Sequence, residues 1–510
     1  MIALLWVILS ITVAVLVQRQ WQKKVKFAGA LPRAKPYYPV VGNLPLALGK
    51  SPDELFSSLY ECFRQHDRLF TLQFSTIVAV CLSHPELIQR VLNHPDCQEK
   101  PDVYKVVRLP KGLLAARYDT WKVHRKTLNS TFNTKILQSF LSIFNNSSRR
   151  LIGRLEQYAD SGTSCNMLEY ISECTLEMIC RTSLGGKALE RDGRQDFIEN
   201  LEVALTALGK RILSFPLHND FIYQFTTLYR DEMKAISTCH QFTDKIIAEK
   251  HVEIKSLFDE RETLEDGETI RENDEAGSFK RPQIFIDQLM KMPLMMKDAY
   301  SFSDQEISDH VYTMIVAGNE TSATQLAHTC LLLAMNPESQ EKAYQEVKEV
   351  VTSPDMFFDM DTLKQLVYVE AVLKEAMRMI PVAPLIAREN IRDIVLDGHL
   401  IPKGTVLLMN IYALHRRSDV WGSDLERFNP DRFIGEEAKR RHPYAHLPFS
   451  GGPRGCIGFR YAMMSLKILL ALILKNFKLS TDLKYNDIKY HYQISLNLAI
   501  PHTVSLERRE

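Results

Sequence analysis

Three observations predict a mainly α protein with small β-sheets behind one N-terminal transmembrane helix. Residues 1–17 carry no charged side chain, helical periodicity dominates the middle of the chain, and short β-branched runs flank it. The chain has 510 residues, with 63 Lys+Arg against 62 Asp+Glu and 45% hydrophobic residues. It can therefore bury a large core, and it lacks the basic excess of a nucleic-acid binder. Only 21 Gly and 22 Pro exclude collagen-like or low-complexity architecture. Nine cysteines, an odd number thinly scattered, do not form a disulfide framework and point to reducing surroundings.

The first element is the run MIALLWVILSITVAVLV, interrupted only by Ser10 and Thr12 and followed by Arg19, Lys23, Lys24 and Lys26. At ~1.5 Å per residue, about 17–21 helical residues reach roughly 26–32 Å, enough to cross a hydrocarbon core. A cleaved secretory signal would place positive charge before the apolar run and a small-x-small site after it. Here nothing basic precedes the run, and Leu16-Val17-Gln18 is a poor cleavage site. The basic flank places the downstream chain on the cytoplasmic side. We therefore expect an anchor over residues 1–20, a basic and proline-rich linker over 21–40, and one domain over 41–510. Proline fixes φ and extends its predecessor, so Pro32, Pro36 and Pro39 should stiffen the linker.

Helices are predicted over 52–65, 120–158, 164–184, 190–208, 225–256, 303–335 and 337–351, and strands over 71–80, 391–396 and 405–409. The interval 255–281 is dense in charge and almost free of large apolar residues, which suits a surface connection. The helix over 303–335 begins with a capping-box pattern, Ser303-Asp304-Gln305-Glu306, and stops at Asn336-Pro337. Such a rod of roughly 50 Å must run through the centre of the protein. In its middle, Ala317-Gly318-Asn319-Glu320-Thr321-Ser322 interrupts the apolar surface. Either the hydroxyls bond the preceding turn and bend or widen the helix, or a polar patch faces the surface beside a packing glycine.

Residues 448–462 place Cys456 at a junction between a glycine-rich loop and an apolar helical run over 462–474. A helix N-terminus favours negative charge and should lower the thiol's pKa. Gly451, Gly452, Gly455 and Gly458 allow close approach of backbone N–H groups, Arg454 adds a permanent cation, and Phe449 can exclude water. Such a thiolate is a soft ligand suited to iron, although a buried cysteine in a glycine-rich turn is more often structural. Without CxxC spacing or a neighbouring His, zinc and iron–sulfur clusters are disfavoured.

Phe449-x-x-Gly452-x-Arg454-x-Cys456-x-Gly458 resembles the haem-binding loop of the cytochrome P450 superfamily at every fixed position. Glu375-x-x-Arg378 resembles that family's internal ion pair, worth only ~0.2–0.5 kcal/mol if exposed on a helix. Pro430-Asp431-Arg432-Phe433 resembles the segment whose arginine completes a buried network with that pair. The hexapeptide 317–322 resembles the oxygen-activation stretch of the central helix, and Trp121-x-x-x-Arg125 a pair that contacts a haem propionate. Five motifs in order identify the chain as similar to that superfamily over essentially its whole length, and the spacing and charged 255–281 insert resemble most the animal microsomal branch, of insect type, that contains fatty-acid ω-hydroxylases.

The resemblance implies the cytochrome P450 fold over 41–510 and a haem-thiolate monooxygenase that inserts one oxygen of O2 into a lipophilic substrate. It implies Cys456 as proximal ligand of haem b, with Trp121, Arg125, Arg388, Phe449, Arg454 and Gly458 around the cofactor. Arg388 has an alternative reading as an exposed charge. Thr321 and Glu320 would organise water and protons, and Glu375, Arg378 and Arg432 would brace the proximal side. Val316, Ala317, Val382 and Leu385 would line the substrate pocket, an apolar lining that does not separate fatty acid, hormone-like lipid and xenobiotic. No nucleotide-binding loop occurs in the sequence, which fits a separate NADPH–cytochrome P450 reductase, with cytochrome b5 as a second donor. The implied setting is the endoplasmic reticulum membrane, single-pass, with the catalytic domain cytosolic and in contact with membrane lipid.

Two positions depart from the branch. Ala317 stands where many members carry a glutamate that esterifies the haem, so the haem should be bound non-covalently apart from the Cys456–iron bond. Tyr118 stands where glycine is usual and should alter the turn into the Trp121 helix. A peroxide-rearranging relative of the same fold often lacks the acid–threonine pair, and a non-catalytic haem carrier would not need it. Glu320 and Thr321 favour the monooxygenase over both.

Overall fold

The computed structural model describes residues 26–39, 41–74, 77–263, 279, 281–295, 300–353, 355–492 and 495–509. The predicted anchor and residues 264–278 of the charged interval lie outside them. Two compact units emerge, each discontinuous in sequence, which is why no linker marks a boundary between them. One draws on residues up to Pro101 together with Ala383–Leu425 and Arg441–Gly455; the larger comprises Asp102–Val382, Glu426–Arg440 and Cys456–Glu510.

In the smaller unit the run predicted as one strand over 71–80 is two antiparallel strands, Leu69–Phe74 and Ile77–Leu82. The second of these pairs in parallel with Val406–Asn410, which in turn pairs antiparallel with Leu385–Glu389. Proline punctuation does not leave the preceding segment free. Ala34 N donates to Thr71 O at 3.1 Å and Thr71 N to Pro32 O at 2.8 Å, while Asn43 Nδ2 donates to Ala34 O and Pro36 O. These bonds lay the strap along the edge of the sheet and bury Leu31 and Ala34.

In the larger unit the periodicity over 120–158 overstates continuity. The chain forms Tyr118–Leu128, Thr134–Ser139 and Leu141–Ser161 instead. Ser130 and Thr131 donate their hydroxyls to Thr127 O and Leu128 O, and Asn133 caps the next helix by accepting from Ile136 N. Short polar side chains here out-compete the helical ladder. Similarly, Ser164–Asn166 is a strand paired with Thr503–Arg508, and its helix begins only at Met167. Charge in the 255–281 interval does not end the preceding helix, which spans Thr227–Thr263.

The central helix, Asp304–Met335, has the predicted capping box: Ser303 Oγ accepts from Glu306 N, and Ser303 N donates to Glu306 Oε2. It is α-helical throughout, so the polar hexapeptide does not widen it. It is buried continuously over 306–315 and 322–334, and between them only Asn319 is buried. Among the described residues no helix is long and apolar enough to cross a membrane.

Histidines packed on this helix are held neutral. His328 and His502 stack with ring centroids 5.0 Å apart, and His310 Nε2 lies 3.0 Å from His124 Nδ1. Burial depresses all four, His310 to about 3 and His502 to about 4, from an ordinary value of 6.5. The unfolded chain therefore takes up protons first as pH falls. Stability contributed by these groups is complete above about pH 6.5 and drains away towards pH 4. Calorimetry in pH steps should show the thermal midpoint falling over that window. His502→Phe, which keeps the ring stack but cannot titrate, should flatten the fall.

Candidate functional site

The site-bearing face of the central helix is set by its neighbour, Met167–Ser183. A Cβ added to Gly318 would lie 2.9 Å from Ile179 Cδ1, so only glycine permits this close approach. One residue on, Thr175 Oγ1 donates to the buried Asn319 Oδ1 at 2.7 Å. With 318 and 319 turned to that neighbour, Ala317 and Thr321, four residues apart on one face, are exposed, and Val316 and Glu320 are half-buried beside them. Both readings of the hexapeptide thus hold in part. Gly318 is a packing glycine, and Thr321 Oγ1 donates to Ala317 O at 2.6 Å, bonding the preceding turn without opening it.

Glu320 is held from a distant part of the chain. Ser495 Oγ donates to its Oε1, and Asn497 Nδ2 donates to Ser495 Oγ at 3.0 Å. Burial pushes the Glu320 carboxyl up, and the Ser495 bond opposes that shift. Sequence reasoning missed Ser495 and Asn497, which lie in no motif and gain meaning only through the contact. The same turn is tied to Val382, whose carbonyl accepts from Leu496 N at 2.8 Å.

Cys456 precedes the helix Phe459–Asn476, for which Gly458 is the N-cap. It is the one exposed thiol of nine; the other eight are buried and free. Backbone N–H groups of Gly458 and Phe459 hydrogen-bond to its sulfur, and Arg125 stabilises the thiolate electrostatically. The expected depression of the thiol's pKa is not realised, however. Crowding by protein atoms outweighs the donors and the cation, and the net shift is upward. A Cβ at Gly458 would lie an ordinary 3.8 Å from Sγ, so room at the sulfur does not require glycine there. Burial also lowers the pKa of Arg125, which Cys456 partly offsets; Arg125 Nε donates to Asn129 Oδ1 at 2.8 Å. Trp121 is buried, and Tyr118 opens the helix and stacks on it at 6.1 Å, which accounts for the aromatic at that turn.

The ion pair at 375 and 378 is fully buried, not exposed. Arg378 Nε and Nη2 donate to the two oxygens of Glu375 at 2.7 and 2.8 Å. Asn429 N donates to Glu375 Oε1 at 3.0 Å, and Arg432 Nε lies 3.5 Å from the same oxygen. At such depth the exposed-pair magnitude no longer applies, because an unmatched charge would be stranded away from water.

The remaining site residues belong to the smaller unit. Arg388, on the strand Leu385–Glu389, is 1% exposed and Arg454 is 8% exposed, so neither is a solvated surface charge. Phe449 and Leu385 are half-buried. Glu389 N donates to Glu99 O at 2.9 Å, which sets Lys100 beside that strand. Burial depresses the Lys100 ammonium well below its usual value, and the charges of Arg388 and Arg454 push it further. Lys100 is a third residue that sequence reasoning missed. Gly452 has φ +67°, and a Cβ there would fall 2.2 Å from Leu92 O, so loop and helix end meet backbone to backbone.

A family profile described as Cytochrome P450 matches residues 32–502. The chain is 29% identical over 474 residues to cytochrome P450 4d1 of Drosophila simulans, covering 91% of this chain and 90% of that one. It is 28% identical over 478 residues to cytochrome P450 4c21 of Blattella germanica, covering 93% and 92%. To cytochrome P450 4V2 of Homo sapiens it is 30% identical over 498 residues, covering 96% and 91%.

Removing the carboxylate of the buried network should be costly. Glu375→Ala leaves two arginines around an empty centre and is expected to destabilise the larger unit by about 3–5 kcal/mol. Yield of soluble protein and thermal midpoint measure this. An exposed i,i+3 pair would instead lose well under 1 kcal/mol.

Proposed function

We propose that this chain, which belongs to the cytochrome P450 family and is a cytochrome P450 monooxygenase, oxidises a lipophilic substrate with electrons that a separate reductase takes from NADPH. The observation that carries the site assignment is Cys456: one exposed sulfur among eight buried thiols, met by two backbone donors at a helix N-terminus. The family implies haem, and the residues present fit it. Cys456 suits the iron, and because burial disfavours the free thiolate, the metal's own charge is what would hold it ionised. In the larger unit Trp121 and Arg125, and in the smaller unit Arg388 and Arg454 with Lys100, are each suited by their donors to a carboxylate such as those of haem b. Burial first, and then the charges of Arg388 and Arg454, depress Lys100, and a carboxylate beside it would favour its charged form. Phe449 would limit water at the proximal side, and Gly458 would carry one of the two donors to sulfur. Ala317 has no carboxyl for an ester link, which favours haem held without a covalent bond other than that to Cys456.

When bound, the haem iron activates dioxygen and supplies the oxidising power that converts a C–H bond to C–OH. This chain's residues supply protons and exclude bulk water. Burial raises the Glu320 carboxyl's hold on its proton above that of an ordinary carboxyl, and Thr321 Oγ1 sits on the exposed face one residue on. While Thr321 donates to Ala317 O, its lone pairs remain able to accept from water. Val316, Ala317, Val382 and Leu385 offer apolar lining suited to a fatty acid, hormone-like lipid or xenobiotic. Glu375, Arg378 and Arg432 brace the structure around the ligand-bearing helix and do not react.

The wider reading follows the sequence. Residues 1–20 would anchor the protein in the endoplasmic reticulum membrane, 21–40 would connect, and 41–510 would form the cytosolic catalytic domain beside NADPH–cytochrome P450 reductase, with cytochrome b5 as an alternative donor. The spectrum of the dithionite-reduced carbon monoxide complex tests the ligand. A strongly red-shifted Soret band is expected, and a histidine-like spectrum defeats Cys456. Product profiling against lipids and xenobiotics then addresses the substrate.

Thr321→Ala should leave that spectrum intact while cutting product formed per NADPH about 10-fold or more, with peroxide released instead, given the usual ~10²–10⁴ contribution of proton-transfer groups. Wild-type coupling in this variant defeats the relay.

A further inference from the structure

We propose that Ser495 is a positioning residue for Glu320: its hydroxyl, aimed by Asn497, fixes which carboxyl oxygen carries the proton. This rests on the reading of Glu320 as a proton donor. Ser495 stands 175 residues from Glu320 in sequence, yet its Oγ donates to Glu320 Oε1, and Asn497 Nδ2 donates to that Oγ at 3.0 Å. A serine hydroxyl has a single proton and two lone pairs. One lone pair is taken by Asn497, and the proton lies in the bond to Glu320. Oε1 is then an acceptor, and the neutral carboxyl must keep its own proton on Oε2. The direction of delivery is therefore set by a residue outside the central helix.

The arrangement is rigid for stated reasons. Ser495 is 2% exposed, so bulk water does not compete for its hydroxyl. Its turn leads into the strand Leu496–Leu498, which pairs with Tyr490–Tyr492 and is fixed to Val382 O through Leu496 N. Asn497 Oδ1 is buried and makes no hydrogen bond among the described residues, so its amide is held here through the bond to Ser495. Burial raises the Glu320 carboxyl and the Ser495 bond opposes it, so loss of the hydroxyl raises it further.

Infrared difference spectroscopy of the full-length holoenzyme across pH tests this directly. The protonated Glu320 band is assigned by its disappearance in Glu320→Gln. In Ser495→Ala the C=O stretch should move to higher wavenumber, since Oε1 loses a donor. Its titration midpoint should rise by about one pH unit. Ser495→Thr, which keeps a hydroxyl, should restore both. A Glu320 band unchanged in frequency and midpoint in Ser495→Ala overturns the proposal. If that variant does not load haem, Asn497→Ala serves, with a smaller shift in the same direction expected and none overturning it. Coupling separates this inference from the reading beneath it. Glu320→Gln coupled like wild type removes Glu320 as donor and the proposal with it. If Glu320→Gln uncouples while Ser495→Ala leaves the band alone, only the positioning role fails.

Discussion

The close seating of the central helix on Met167–Ser183 is the constraint on which the reactive face depends. Two adjacent residues enforce it by different means. Gly318 removes the atom that would collide with Ile179, and Asn319 spends its carbonyl on the Thr175 hydroxyl. Steric permission alone would tolerate a slide along the axis, and a hydrogen bond alone would tolerate a rocking motion. Together they fix depth and rotation. With 318 and 319 against the neighbour, 317 falls on the far side, and 321, one turn on from 317, lies at the flank of the contact where it stays exposed. Leaving the buried amide of Asn319 unmatched would cost about 1–3 kcal/mol, enough to hold this register against small repacking gains.

The same molecule shows two unlike uses of buried charge. At Glu375 every oxygen is met by a donor from the protein, so the network is self-sufficient and works as a brace. At Lys100 burial depresses the ammonium and the charges of Arg388 and Arg454 add to it, so there the fold sets like charges near one another. Cys456 is likewise disfavoured in its charged form. Its donors and Arg125 favour the thiolate, but crowding by protein atoms around this solvent-reached thiol outweighs them.

How much of this was legible in sequence depended on whether the signal was local. Cys456 with its glycine loop, the pair Glu375 and Arg378, and the Ser303 cap are each short patterns whose chemistry is complete within a few residues. Periodicity located the helices but misjudged their ends. At 128–134 the deciding groups were the Ser130, Thr131 and Asn133 side chains, whose competition with the backbone is invisible to an apolar count. The depth of Glu375 and Arg388 was likewise hidden, since the same residues on a surface would read identically. Cys456 failed in a more instructive way. The local factors that lower a thiol's pKa were all present, but crowding by atoms drawn from elsewhere in the fold outweighed them.

Ser495 and Asn497 mark the far limit of that legibility. Neither lies near a motif, and serine and asparagine are ordinary in a turn between short strands. Their significance comes from one property of hydroxyl groups, a single proton, combined with an amide that dictates where the proton points. A carboxylic acid alone on a helix can present its proton from either oxygen and in either rotamer, so half or more of its orientations serve no acceptor. Held through one oxygen by a buried donor, it keeps one orientation. In the proposed relay the partner comes from a distant part of the chain, so it can hold the acid from the side without drawing on the hydrogen bonds of the helix that carries it.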